Sequence, residues 1–282
     1  MDLWIEERNQ DTHAVRLRVE SVLFSGESEF QTVAIVETAA HGRLLLNDGM
    51  IRLTERDEFV YHEMIAHVPL LVHPAPRRVL VIGGGDGGTV RECLKHPTVE
   101  HVRLVEIDAL VVDACREHIP QCAACLSDER VQVTIADGVA FVAETTERYD
   151  AVLVDSTDPV GPAQPLFGPA FYGNVKRVLS EQGIVVSQCE NPWYEPDAQR
   201  ALLDILGDLF PVVSLYNYHN LTYPGGLWSF SFASKGLRPD AAPDAARVAA
   251  LGQLKWWTPA IHRAAFALPA FQQRALGLEP RR

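Results

Sequence analysis

The sequence predicts an α/β protein, a doubly wound and largely parallel sheet preceded by a small N-terminal antiparallel β unit. Three observations predict it. The apolar run Arg78-Val79-Leu80-Val81-Ile82 breaks into Gly83-Gly84-Gly85-Asp86-Gly87-Gly88 and resumes with helical character, so it reads as a strand, a tight turn and a helix start. From residue 54 to about 235, strand-like and helix-like stretches alternate, as in a parallel sheet covered on both faces. Before that, residues 1–53 alternate apolar and polar side chains with the period of strands.

In the N-terminal stretch Val15, Leu17 and Val19 face one way and Arg16, Arg18 and Glu20 the other; Val33 and Ile35 continue the pattern, followed by 44–47 and 51–53. Asn47-Asp48-Gly49 marks the turn between the last two strands. So small a sheet is marginal alone and is expected to pack on the larger domain or on another subunit. The division expected is a β domain at 1–53 and a catalytic domain at 54–282. Thr54 is placed to cap a helix whose first turn carries Glu55, Asp57 and Glu58, with Phe59, Val60, Met64 and Val68 at helical spacing. Pro69 is expected to limit that helix. Its consecutive Tyr61, His62 and Glu63 cannot share one face.

Gly83, Gly85 and Gly88 satisfy G-x-G-x-x-G, and Glu106 ends the next apolar run about twenty residues on, where an acid grips ribose hydroxyls. A nucleoside-bearing ligand follows. Asp86 sits inside the glycine turn, where a carboxylate would repel a pyrophosphate. The ligand tail there is therefore expected to be cationic, as in a sulfonium nucleoside of the S-adenosylmethionine type, rather than the diphosphate of NAD. Four successive strand ends carry an acid, namely Asp86, Glu106, Asp137 (before Gly138) and Asp155, and ligands bind beyond such ends. Each acid alone is an ordinary turn former or cap. Four in register describe a cleft for a cation.

After Asp155, the stretch 156–167 holds Pro159, Gly161, Pro162 and Pro165, a stiff loop placed as a lid over the cleft. Residues 183–187 form a buried strand ending at Gln188, and 212–215 and 227–233 read as a closing antiparallel pair. Between them Thr222-Tyr223-Pro224-Gly225-Gly226 is a turn that brings Tyr223 and Trp228 to one end, as ligand contacts or as core aromatics.

The net charge of −12, from 37 acids against 25 bases, disfavours nucleic acid as a partner and suits both solubility and small cationic ligands. No run is long and apolar enough to enter a membrane, and the N-terminus has no basic region followed by an apolar block, so a cytoplasmic enzyme is expected. Five cysteines form an odd set, expected as free thiols. Cys122-Ala123-Ala124-Cys125 has redox or zinc-half-site spacing but neither a second pair nor a histidine in register, and is read as structural.

Asp48-Gly49, Thr54-Glu55-Arg56-Asp57-Glu58-Phe59 with Tyr61-His62-Glu63, the glycine turn 83–88, Val105-Glu106-Ile107-Asp108, Asp155-Ser156-Thr157-Asp158-Pro159 and Thr222-Tyr223-Pro224 together resemble the polyamine aminopropyltransferase family, most of all the bacterial spermidine synthases. The resemblance runs in order from about Trp4 to Leu268, and Pro259-Ala260-Ile261-His262 and Ala265-Phe266-Ala267-Leu268-Pro269 also resemble bacterial members. It implies a Rossmann-like, methyltransferase-type sheet, with transfer of an aminopropyl group from decarboxylated S-adenosylmethionine, a co-substrate, to putrescine. No cofactor and no metal are implied. By resemblance Glu106 holds the ribose, Asp137 with Gly138 the adenine, and Asp86, Asp155 and His62 the donor tail. Asp155 with Tyr61 would handle the amine proton, while Asp158, Gln188, Tyr223 and Trp228 would position the acceptor. The family suggests a homodimer or homotetramer.

One donor-facing position departs from the family, which usually carries Gln where Arg52 stands. Arg52 turned toward Asp48 or Glu55 would be structural, the reading favoured here. Arg52 turned toward the tail would pair with the carboxylate of intact S-adenosylmethionine and favour an amine N-methyltransferase. That class, a dehydrogenase, a non-catalytic sulfonium sensor and aminopropyl transfer to another polyamine are the alternatives.

Overall fold

The computed structural model describes residues 3–9, 12–156, 161–240 and 242–278, with the side chains of 161–163 outside that description. β1 (Leu3–Asn9) and β2 (His13–Val19) pair antiparallel as a ribbon, and β3 (Ser21–Glu27), β4 (Thr32–Thr38), β5 (Gly42–Asn47) and β6 (Met50–Thr54) form an antiparallel meander. The turn expected at Asn47-Asp48-Gly49 joins β5 to β6. Both central residues lie at positive φ, Asp48 at 51° and Gly49 at 76°, the geometry whose twist suits a two-residue hairpin.

The meander leads into α1 (Glu58–Val72), which differs from the sequence expectation at both ends. Thr54 belongs to β6, and Asp57 holds the cap position without bonding the helix. The reason is tertiary. The Asp57 carboxylate accepts from the backbone N–H groups of Leu221 and Thr222, at 2.8 and 2.9 Å, and from the Thr54 hydroxyl at 2.6 Å, so it ties the helix start to the 221–223 turn. Pro69 lies inside α1 instead of ending it. Proline costs one intrahelical bond there, and the guanidinium of Arg247 covers the carbonyls of Leu70, Leu71 and His73 where the helix runs out.

The larger sheet contains β7 (Arg78–Gly83), β8 (His101–Glu106), β9 (Val131–Ile135), β10 (Tyr149–Asp155), β11 (Leu179–Gln188), β12 (Val212–His219) and β13 (Leu227–Ser234), in the order β12-β13-β11-β10-β7-β8-β9. β7 to β11 run parallel, and β13 is antiparallel to both its neighbours, the closing pair the sequence predicts. The near-continuous Val, Ile and Leu of the central strands are the mark of strands covered on both faces. One face packs on α1, α2 (Gly88–Leu94), α3 (Ala109–His118) and α4 (Pro120–Ala123). The other packs on α5 (Gly138–Glu144), α6 (Pro169–Val178) and α7 (Pro196–Leu209). α8 (Ala245–Ala250), α9 (Pro259–Ala265) and α10 (Ala270–Leu276) complete the described chain; no helix among the described residues is long and apolar enough to cross a membrane. The chain leaves β7 toward β8 on one side and returns to β10 on the other, so a crevice opens at the carboxyl ends of β7 and β10, where such sheets bind ligands.

Candidate active site

The crevice is set by strand register. Asp155 pairs with Gly83 and Val154 with Ile82, which puts Asp155 level with the start of the glycine turn. Glycine is required here by contact: Gly84 has φ 68°, and a Cβ on it would come within 2.5 Å of Asp155 Oδ2. Gly88, the first residue of α2, lies against the ring of His62 so closely that a Cβ would collide with it. The turn therefore draws α1, β7 and β10 to one point.

A cavity of about 420 Å³ fills that point. Asp86, Glu106, Asp137, Gly138 and Asp155 line one wall, and Arg52, Tyr61, Gln188, Tyr223 and Trp228 another. His62 stands immediately behind, its Nε2 at 3.4 Å from Asp86 Oδ1. Asp158 lies outside the described residues, as does the rest of 157–160 in the stretch read as a lid; Gly161–Phe167 beyond it is a 3-10 helix. Every other predicted site residue is brought to this one place.

Each side chain arrives by a local rule. Tyr61, His62 and Glu63 leave α1 in three directions. Tyr61 faces the cavity and hydrogen-bonds Asp155; His62 faces Glu58 and Asp86; Glu63 accepts the backbone N–H groups of Lys255, Trp256 and Trp257 at 2.7–2.9 Å. Asp86 accepts from the N–H of Gly88 at 2.8 Å. Asp137 caps α5 through the N–H of Val139 at 2.8 Å and still lines the cavity, so cap and site coexist in one residue. The expectation that Arg52 turns toward Asp48 or Glu55 is not met. Asp48 takes the N–H and hydroxyl of Thr32, Glu55 takes the N–H of Arg43, and Arg52 lines the cavity with Nη2 at 3.5 Å from Met50 Sδ. Its carbonyl accepts from the Tyr223 hydroxyl at 2.6 Å.

The electrostatics follow from burial and from neighbours. Burial pushes the Glu106 carboxyl up to about 7, although the N–H groups of Asp108 and Gly85 donate to its two oxygens at 3.0 and 3.2 Å. Burial, and next the Asp86 carboxylate, raise Asp155 above the ordinary carboxyl range against the opposing pull of His62, Thr89 and Tyr61; the Thr89 hydroxyl donates at 2.6 Å. Burial disfavours a charged His62, but Asp86 and Glu58 outweigh it and raise the imidazole to about 9. Glu58 is buried as well, yet its His62 contact at 2.6 Å and its two-pronged Arg91 contact at 2.8 and 3.0 Å hold it down at about 2.

Sequence reading treats Glu58 only as a helix-dipole acid and passes over Arg91, Thr89 and Tyr218, which also lines the cavity. Their signals are single residues on separate elements. The cysteine pair supports the turn: Cys125 Sγ donates to the carbonyls of Gly87 and Cys122 at 3.2 and 3.1 Å, and burial pushes its thiol up to about 12. Among the described residues two groups, Glu58 with His62 and Cys122, and His62 with Asp86 and Asp155, gather metal-ligand atoms within 4.8 Å of one another. In the first, the Arg91 guanidinium already occupies the carboxylate.

Taken as chemistry, the site offers the buried Glu106, Asp137 with Gly138 along one wall, and the carboxylates of Asp86 and Asp155 beyond the turn, with Tyr61 beside Asp155. The family model described as the spermine/spermidine synthase domain matches residues 58–241. The chain belongs to the spermine/spermidine synthase family. A second model, described as the spermidine synthase tetramerisation domain, matches residues 3–55. Among similar proteins, the polyamine aminopropyltransferase of Shouchella clausii is 44% identical over 98% of this chain and 100% of its own. That of Moorella thermoacetica is 46% identical over 97% and 96%. A spermidine synthase solved in complex with the transition state analogue AdoDATO superposes with a TM-score of 0.95 at 38% identity, over 98% of this chain and 96% of that one. The Thermotoga maritima spermidine synthase does so with 0.94 at 38%, over 98% and 95%. The chain is thus an enzyme of the polyamine aminopropyltransferase type.

Proposed function

We propose that this family member transfers a 3-aminopropyl group from decarboxylated S-adenosylmethionine to putrescine, giving spermidine, methylthioadenosine and a proton. The observation that carries the reading is the pair Asp86 and Asp155, whose carboxylates gather with His62 just past the glycine turn. Both substrates are multiply cationic, and that pair gives a cationic tail its counter-charge while repelling a tail that ends in a carboxylate. The likeness to a spermidine synthase that holds AdoDATO supports the same donor class.

In this reading Glu106 takes the ribose hydroxyls, Asp137 and Gly138 the adenine, and Asp86 with Asp155 the aminopropyl ammonium, while His62 stands behind as the charged partner of Asp86 and Glu58. Arg52 borders the tail. Asp158, Gln188, Tyr223 and Trp228 hold the diamine. A lone pair on the acceptor nitrogen forms the new N–C bond at the carbon next to sulfur. The C–S pair returns to sulfur, which leaves as a neutral thioether, and the nitrogen sheds a proton. Only an unprotonated amine has the lone pair, so the site must take a proton from an ammonium. Asp155, raised by burial and by Asp86 and bonded by Tyr61, is the acceptor the geometry favours. Its Thr89 and Tyr61 contacts fix which way its oxygens face.

The same reading keeps the division at 1–53 and 54–282 and has the N-terminal unit join copies of the chain as a homodimer or homotetramer. Titration calorimetry with decarboxylated and intact S-adenosylmethionine tests the donor. The decarboxylated form should bind at least about tenfold tighter. Equal or tighter binding of the intact form would mean that Arg52 receives its carboxylate, and would overturn the donor assignment.

A further inference from the structure

Gln188 and Tyr218 share a face of the sheet. Gln188 pairs across to Phe230 and Tyr218 to Trp228, two residues earlier in β13, and directly opposed or alternate residues of paired strands point the same way. That face is the one on which Tyr61 lies, its ring 4.9 Å from Phe230 and 5.7 Å from Tyr218, meeting the latter edge-on at 86°. Tyr218 is locked by stacking on Phe230 at 4.7 Å and 24°. It is 1% exposed, lines the cavity, and its hydroxyl has no hydrogen-bond partner among the described residues; the same holds for Gln188 Oε1. A buried phenol normally finds a partner, and leaving one without costs stability. A cost of this kind is kept where a ligand relieves it.

Resting on the aminopropyl-transfer reading, we infer that Tyr218 is an acceptor-binding residue, its hydroxyl hydrogen-bonding an amine nitrogen of the diamine. A phenol hydroxyl suits both states of that nitrogen: it accepts from an ammonium and donates to a free amine. The surrounding rings of Tyr61, Tyr223 and Trp228 belong to the residue types whose π faces favour an alkylammonium. The group is also close to the chemistry, since it lines the same cavity as Tyr61, Tyr223 and Asp155.

Tyr218→Phe keeps the ring and removes only the oxygen. The acceptor KM for putrescine should rise about tenfold or more, the range for hydrogen bonds to charged groups, with kcat changed far less and the calorimetric Kd of the decarboxylated donor unchanged. The thermal midpoint of the ligand-free variant should equal or exceed that of the parent, because an unsatisfied buried group has been deleted. A merely structural tyrosine would lower it. An acceptor KM within twofold of the parent, or a midpoint that falls together with donor affinity, overturns the inference. Butylamine as acceptor locates the contact: a loss that persists with it marks the reacting nitrogen, and a loss confined to putrescine marks the far one. The parent run beside the variant separates this test from its premise. Absence of aminopropyl transfer by the parent refutes the proposed function, whereas parent transfer with an unaffected variant refutes only the role of Tyr218.

Discussion

Glu106 allows the ribose assignment to be tested through pH alone. Burial raises its carboxyl from 4.5 to about 7 in the folded protein. The folded state therefore keeps a proton that the unfolded chain releases near pH 4.5. The stability this provides is full below that pH and is lost as pH rises through about 7, amounting to about 3 kcal/mol at about 1.4 kcal/mol per pH unit. Ligand binding has the opposite sign. A ribose diol donates two hydrogen bonds, and only the ionised carboxylate accepts both freely. Methylthioadenosine carries the ribose without a charged tail, so its binding isolates this group from Asp86, Asp155 and His62. Between pH 6 and pH 8 the ionised fraction climbs from about a tenth to about nine tenths, and calorimetry should find methylthioadenosine binding about tenfold tighter at the upper end. Glu106→Gln loses one acceptor for the Gly85 or Asp108 N–H, a cost of about 1–3 kcal/mol, but sheds the burial penalty of the ionised acid. Its stability at pH 8 should stay near that of the parent while its methylthioadenosine binding becomes weak and flat with pH. A parent Kd that does not move between pH 6 and pH 8, or an equal slope in Glu106→Gln, would refute the reasoning.

Three further outcomes are expected. Asp155→Asn should lower turnover by about a hundredfold or more, a loss that persists at saturating donor even though the variant also gives up part of the tail's counter-charge; retained turnover removes Asp155 from the proton step. Asp86→Asn should weaken the decarboxylated donor by about tenfold or more yet leave methylthioadenosine unaffected, and a parallel loss for both ligands would place Asp86 in holding the turn instead. Arg91→Met strips the buried Glu58 of its two-pronged partner, and urea unfolding should show a loss of about 3 kcal/mol; an unchanged midpoint would mean that His62 alone satisfies Glu58.

Much of the site was legible because its acids sit at strand ends, where one sequence pattern fixes both backbone and chemistry. The β7 run and its glycines locate the turn, and the period of the following strands carries Glu106, Asp137 and Asp155 to the same edge of the sheet. What stayed hidden depends on contacts between distant elements. Thr54 looks like a cap because the bond from Asp57 to the 221–222 backbone cannot be seen from spacing. Pro69 looks like a helix end because Arg247, far along the chain, covers the carbonyls beyond it. Arg52 reads more readily toward the acids Asp48 and Glu55 than toward the cavity until Thr32 and Arg43 are seen to occupy those acids. Tyr218 lies past the strand read at 212–215 and goes unremarked, since nothing in a sequence reports that a hydroxyl has been left without a partner.

The central claim is tested most directly by incubating the purified enzyme with putrescine and either decarboxylated or intact S-adenosylmethionine, and identifying the nucleoside and amine products by mass. The account predicts methylthioadenosine and spermidine from the decarboxylated donor and no transfer from the intact one. S-adenosylhomocysteine together with a methylated amine would contradict it and give Arg52 the deciding role in donor choice.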